Sequence, residues 1–247
     1  MRERLRVQYQ KAGAGITGAN FLVAETGSVA LTENEGNGVM TTSFPKIHIV
    51  ISGIEKVIPT LEDLGFIWPL LAAHGTGQKM SAYNSVFSGP GGSSEEDGPE
   101  KQFIILIDNK RSSMLDTEEH WQALKCIRCG ACLNACPIYK VVGGYTYNTV
   151  YSGPIGSVIT PFMKNFREFG HLSTACTQCG KCEEVCPVMI PLPRLLLLNR
   201  KLTNENGGSD WQWDTGMKFF EYISSDRKRM DLTGGSLKNS AKKCNNG

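Results

Sequence analysis

A chain of 247 residues with 40% hydrophobic and 20% charged content carries enough apolar material for a packed core, which excludes a disordered protein. Its 26 basic and 24 acidic residues give a formal net charge of +2 and form no long basic run, so no nucleic-acid partner is expected. The opening "MRERLRVQYQKAGAG" lacks the apolar core of a signal peptide, and the longest apolar runs, residues 47–54 and 195–198, are too short to cross a bilayer. A cytoplasmic location follows as the expectation, and nine cysteines then read as metal ligands, because the cytosol keeps thiols reduced.

The first ten residues look like the end of a helix running into a glycine-rich stretch. Gly13, Gly15 and Gly18 there satisfy the G-x-G-x-x-G spelling of a dinucleotide-binding loop. That loop needs a strand before it and a helix after it, so that the pyrophosphate meets a helix N-terminus. Here a polar helix-like segment precedes and the β-prone "FLVAETGSVAL" follows, so the glycines read as turn residues feeding a strand. Residues 21–24 and 29–31 are short β-prone runs flanking a hairpin turn at Glu25, Thr26 and Gly27.

"IHIVISGI" (residues 47–54) and "FIILI" (residues 103–107) are apolar enough for buried strands. Between them, Thr60 and Asp63 resemble a capping box opening a helix with Leu61, Leu64, Ile67 and Leu71 at helical spacing, which Pro69 should kink or split. Strand, helix, strand in that order predicts an α/β layer with parallel neighbours. Residues 88–100 form a polar Gly/Pro surface loop. Asp116 to Glu119 is a second capping box, expected to start a short helix ending at Cys126.

Cys126, Cys129, Cys132 and Cys136, then Cys176, Cys179, Cys182 and Cys186, each followed by proline, repeat the C-x-x-C-x-x-C-x-x-x-C-P run that binds 4Fe-4S clusters. Three cysteines at steps of three wrap one face of a cuboidal cluster, and the fourth thiolate must come from elsewhere. In two-cluster proteins the fourth Cys of each run ligates the other cluster. This assigns Cys126, Cys129, Cys132 and Cys186 to one 4Fe-4S cluster, and Cys176, Cys179, Cys182 and Cys136 to the second. Gly130 and Gly180 follow the second Cys of each run, where a side chain would intrude on the cluster. Zinc, which takes Cys in separated pairs, fits the spacing poorly. The 39-residue connection is long for a minimal β-sheet ferredoxin, and its helical-looking flanks resemble the helical ferredoxin module of succinate dehydrogenase-like enzymes.

The remaining candidates read more plainly. His48, His74, His120 and His171 are scattered, and His48 within an apolar strand reads as a satisfied core residue. Glu25, Glu33, Glu35 and Glu55 read as solvated turns and strand ends, with a pocket of the α/β domain as the alternative. Trp211, Trp213, Phe219 and Phe220 read as a helix packed on the body of the protein, with a partner face as the alternative. The final stretch cannot support a core and reads as a disordered tail carrying Cys244 as a spare thiol. No nucleophile motif or complete catalytic site is found.

The segments "GITGANFLVAETGSVALTENEGNG", "IHIVISGIEKVIPTLEDL", "DGPE", "IRCGACLNACPIY", "GPIG" and "CTQCGKCEEVCPV" resemble, in order, the lactate-utilisation iron-sulfur protein family of the LutB type. The resemblance implies an α+β multi-domain chain. Residues 1–112 would form a partial α/β LUD domain similar to the NagB, RpiA and CoA-transferase superfamily. Residues 113–200 would form an all-helical ferredoxin domain with two 4Fe-4S clusters, and residues 201–247 a C-terminal helix and tail. It further implies an electron-transfer subunit of a complex oxidising L-lactate to pyruvate, working with a cysteine-rich protein and a second LUD-domain protein.

Family members carry a long stretch before the segment that starts this chain. The α/β domain is therefore expected to be incomplete, as a fragment, a split gene product completed by a separate chain, or a reduced domain, and to leave an apolar edge or face uncovered. Alternatives are an iron-sulfur subunit of a glycolate, glycerol-phosphate or heterodisulfide oxidoreductase, or a sensing or assembly protein whose clusters are structural.

Overall fold

The computed structural model describes residues 2–92, 95, 97–206 and 211–230. Helix α1 (Arg2–Lys11) leads into β1 (Ala14–Thr17), so Gly15 lies inside a strand and Gly13 and Gly18 flank it. A Cβ on Gly15 would come within 2.1 Å of the Thr41 carbonyl oxygen on α2 (Asn37–Ser43). Close backbone approach explains this glycine, in place of the turn role expected. The next element is β2 (Phe21–Val23), a strand, so the helix that a dinucleotide loop requires does not follow. β2 and β3 (Ser28–Glu33) form the expected hairpin, with Phe21 opposite Ala30 and Gly27 at φ 67 supplying the left-handed turn residue.

β4 (Ile47–Gly53), β5 (Val57–Ile58), β6 (Tyr83–Phe87) and β7 (Lys101–Ile107) complete two sheets. One has the order β1-β4-β7 and is parallel throughout, as the strand-helix-strand order predicts; the other has the order β5-β2-β3-β6. Val50 of β4 packs with Leu22 and Val29, which joins the sheets face to face. His48 lies on that buried face, where its Nε2 bonds Thr17 Oγ1 at 2.8 Å and its Nδ1 bonds Gln102 Nε2 at 3.1 Å, so it is a satisfied core residue. Burial holds its pKa below the ordinary histidine value.

The opposite face of the parallel sheet is open. Register places Ile16 beside Ile49, Ile49 beside Phe103 and Ile51 beside Ile105. Ile16, Phe103 and Ile105 are 63%, 52% and 48% exposed. β7 is therefore an exposed edge strand, which corrects the buried strand expected for "FIILI". Apolar composition marks a strand for burial, but only another layer buries it. The uncovered apolar face anticipated for an incomplete α/β domain is present here.

Helix α3 (Asp63–Thr76) is continuous through Pro69, so of the two outcomes expected, a kink or a split, the split does not occur. Its start keeps half of the capping box, since the Thr60 N–H donates to Asp63 Oδ2 at 2.9 Å while the Thr60 hydroxyl also turns to that oxygen. Leu64, Ile67, Trp68 and Leu71 pack against Phe21, Val23 and Ile58 and against Ile127, Cys129 and Val188 of the cysteine-bearing part. The two parts thus share one core.

After β7 the described residues hold only helices and turns. Residues 120–125 form a 3-10 helix with no side-chain cap, and Glu119 pairs with Arg194 instead of closing the expected box. The short helices α4 (Ala131–Ala135), α5 (Pro137–Val142), α7 (Phe166–Phe169), α8 (His171–Thr174) and α9 (Lys181–Glu184) gather around α6 (Gly153–Met163) and α10 (Leu192–Glu205). On α10, Leu192, Leu195, Leu196, Asn199 and Thr203 are buried at helical spacing. Asn199 Nδ2 donates to the carbonyls of Ser157 and Val158 at 3.1 and 2.9 Å, and its Oδ1 lies 2.9 Å from His120 Nε2. Helix α11 (Trp211–Ser224) leaves Phe219 and Phe220 65% and 64% exposed, so these two do not pack on the body as expected. The side chains of Trp211 and Trp213, and the tail with Cys244, lie outside the described residues.

Changing Phe103 and Ile105 together to lysine should reduce self-association in light scattering and leave denaturant stability within about 0.5 kcal/mol per site. A loss of several kcal/mol would mean that this face is covered.

Candidate iron-sulfur site

Each cysteine run folds the same way. Arg128 and Gln178, just before the second cysteine, have φ of 64 and 57, and Gly130 and Gly180, just after it, have φ of 80 and 79. Left-handed residues on both sides of Cys129 and Cys179 curl each loop back on itself. Both glycines sit at a positive φ that L side chains rarely adopt, which is the tight turn expected of the backbone at these two positions. Helices α4 and α9 start immediately afterwards, carrying Cys132 and Cys182 on their first turns, and pack against each other. Cys136 then serves as N-cap of α5, accepting the Tyr139 N–H at 3.5 Å, with Pro137 as the first helical residue.

Packing α4 on α9 brings each run's last cysteine to the other run. Cys126, Cys129, Cys132 and Cys186 line one cavity of about 180 Å³, walled by Ile127, Leu133, Ile155 and Val188. One water-sized probe needs only about 10–15 Å³, so the space suits a polynuclear group. On the far side, burial pushes the Cys182 thiol up to about 12, and Cys176, Cys136 and Cys179 lie close enough to add to the shift. Burial likewise pushes Cys132 up to about 12, with Cys126, Cys129 and Cys182 adding to it. Such thiols keep their protons unless a cation takes the proton's place, which is the condition a metal cluster meets. Three thiols already have backbone donors: Cys136 from Tyr139, Cys176 from Gln178 at 3.3 Å and Cys186 from Ile190 at 3.4 Å. Among the described residues no three His, Cys, Asp or Glu side chains converge on a single ion, as zinc with sulfur at about 2.3 Å would require.

Sequence reasoning missed the charged layer beside the first cavity. Glu55, expected at the surface, is buried with its side chain 3% exposed, 2.7 Å from Arg111 Nε and 3.4 Å from Arg128 Nη2. The Arg111 contact is a close charge pair without hydrogen-bond alignment. Gly53 makes room for it, since a Cβ there would fall 2.0 Å from Glu55 Oε2. Lys56, buried beside them, donates to the Cys126 carbonyl at 3.1 Å, and burial with Arg128 nearby lowers its pKa to about 8. Arg128 also stacks over Tyr151 at 4.3 Å. Three cations thus share one carboxylate next to the cysteine cavity, a field that favours an anionic thiolate cluster. The other candidate glutamates are structural. Glu33 accepts the N–H groups of Gly38 and Val39 at the start of α2, Glu25 accepts that of Leu61, and Glu35 accepts that of Asn34.

Glu55→Gln keeps the volume and removes the only carboxylate of this network among the described residues. It should cost about 3–5 kcal/mol in equilibrium unfolding, because Arg111 stays buried and uncompensated. A cost under about 1 kcal/mol would place the network in solvent.

Two family descriptions match the chain: LUD domain over residues 1–107 and 4Fe-4S dicluster domain over residues 122–190. The Escherichia coli K12 protein named "Uncharacterized electron transport protein YkgF" is 41% identical over 91% of this chain and 47% of its own length. Proteins named "Lactate utilization protein B" from Anoxybacillus flavithermus and Shouchella clausii are 44% and 43% identical, over 84% and 83% of this chain and 44% and 43% of their own. The chain spans just under half the length of these relatives. The chain joins a LUD domain to a 4Fe-4S dicluster domain and is a homologue of the proteins named lactate utilization protein B.

Proposed function

We propose that the chain is an iron-sulfur electron-transfer subunit of a complex that oxidises L-lactate to pyruvate. The observation that carries the reading is the cavity in which Cys186 joins Cys126, Cys129 and Cys132. With Cys136 beside Cys176, Cys179 and Cys182, it supports two 4Fe-4S clusters, each closed by the last cysteine of the other run. Bound there, such clusters supply one-electron relay, and lactate oxidation releases two electrons. The relatives' names, electron transport and lactate utilization, fit that role.

The chain's own residues set the conditions for the relay. Eight cysteines hold the clusters, and the exchange of Cys136 and Cys186 keeps the two close. The Tyr139, Gln178 and Ile190 N–H groups bond sulfur, which raises the potential of a cluster held there. Ile127, Leu133, Ile155 and Val188 place apolar surface around the first site. Lys56 and Arg128 place positive charge beside the same cluster.

A cysteine-rich protein and a second LUD-domain protein complete the proposed complex, which we place in the cytoplasm; no described helix is long and apolar enough to cross a membrane. The open face of Ile16, Phe103 and Ile105 supports a further body of polypeptide, matching the part of the relatives that this chain does not span, as what covers the parallel sheet.

Anaerobic co-purification with the partners, followed by paramagnetic resonance, tests the reading. Addition of L-lactate should reduce the clusters, with about eight iron atoms per chain. Cys186→Ser should disturb the cluster held by the first run, and Cys136→Ser the other. Reduction by a different substrate alone, clusters that resist reduction, or about four iron atoms per chain would each contradict it.

A further inference from the structure

A second cavity, of about 360 Å³, lies outside the C-terminal ends of β4 and β7, against α6 and the loop before it. In open α/β sheets the crevice beyond the carboxyl ends of parallel strands is the usual place for a ligand. The lining is mixed. Ile51, Ile107, Val150 and Met163 are apolar, Ser52, Asn109, Thr149 and Thr160 are polar, and Arg111 and Lys164 are cationic. No carboxylate lines it. Asp108, next in the chain, holds its carboxylate on the Ser112 N–H and hydroxyl at 2.7 and 2.8 Å.

Arg111 is the residue built for recognition. Only 6% exposed, it faces Glu55 through Nε, donates from Nη1 to the Asp108 carbonyl at 2.9 Å and from Nη2 to the Tyr151 hydroxyl at 3.2 Å. Each Nη carries two hydrogens, so one on each remains uncommitted among the described residues. Tyr151 accepts through oxygen from Arg111, which leaves its own O–H to donate. A guanidinium pinned from behind, with paired donors left over, matches the planar fork of a carboxylate. The Lys164 ammonium sits over the Phe169 ring at 4.2 Å and adds charge at the rim.

Val150 and Tyr151 line this cavity and the Cys126, Cys129, Cys132 and Cys186 cavity alike. A single layer of side chains therefore separates the two.

We propose that the second cavity binds a small organic carboxylate through Arg111 and the Tyr151 hydroxyl, one side chain away from the first cysteine site. The ligand class includes lactate and pyruvate, and that choice rests on the proposed role in lactate oxidation. The short apolar walls receive a methyl or methylene tail, and the Ser52, Thr149 and Thr160 hydroxyls a second ligand oxygen.

The test is anaerobic titration calorimetry of the iron-loaded full chain with L-lactate, pyruvate, inorganic phosphate and neutral 1,2-propanediol. The expected result is saturable binding of lactate or pyruvate at about one per chain, with neither phosphate nor propanediol competing. Tyr151→Phe keeps the ring under Arg128 and should weaken binding several-fold with iron content unchanged. Arg111→Lys should weaken it at least tenfold, because one ammonium cannot reproduce the fork. Absence of carboxylate binding, equal binding of phosphate, or affinity unchanged in both variants would overturn the proposal. Lactate-dependent cluster reduction in the co-purified complex without carboxylate binding by this chain would leave the electron-transfer reading standing and put the substrate on another subunit. Carboxylate binding without any cluster reduction would do the reverse.

Discussion

A cuboidal cluster needs four thiolates from different directions, and a tight C-x-x-C-x-x-C loop delivers three. In the proposed arrangement the fourth comes from a run 50 residues away, and the packing of the cysteine-bearing part is compatible with that demand. Packing α4 on α9 brings Cys186 to the cavity of Cys126, Cys129 and Cys132, the approach that the proposed exchange requires. The long connection wraps α6 into the centre, where it is buried from Gly153 to Pro161, and α10 closes the other side with Leu192, Leu195 and Leu196. Cys132 and Cys182 belong to that same core. Metal binding and core packing are therefore one transaction in this part of the molecule.

The α/β part is tied to the cysteine site by two different forces. Apolar packing of α3 against Ile127 and Val188 sets the distance, and the Glu55 network fixes the orientation. A buried ion pair contributes little net stability, yet it is costly to break, so it favours one arrangement over near neighbours. Gly53 ends β4, and Glu55 and Lys56 follow in the 3-10 turn directly after it. The strand that carries the sheet thereby also positions charge at Cys126 and Arg111 at the second cavity.

Much of this was legible in the sequence. The cysteine spacing marked the 4Fe-4S dicluster region, and the β-prone runs with Gly27 between them located the hairpin. What failed has physical reasons. Pro69 does not split α3: it removes one helix hydrogen bond, to the Gly65 carbonyl, but α3 buries Leu64 and Ala72 on either side of it, and packing outweighs the local loss. β7 carries the composition of a buried strand, but composition cannot report whether a second layer packs on it, and among the described residues none covers its outer face. Glu55 had no periodic signal, because its partners Arg111 and Arg128 are 56 and 73 positions away in the chain. Arg128 and Gln178 gave no hint of positive φ, since their residue types rarely adopt it; only the repetition of the loop in both runs could have exposed them.

Cysteine exchange is the claim on which the account turns, and it fixes the two clusters at short range. Paramagnetic resonance of the fully reduced, iron-loaded chain reads that distance directly. The account predicts a spin-coupled spectrum integrating to about two spins per chain, which collapses to an uncoupled signal when either Cys136 or Cys186 is changed to serine. Two independent signals with no mutual broadening in the unaltered chain would contradict it.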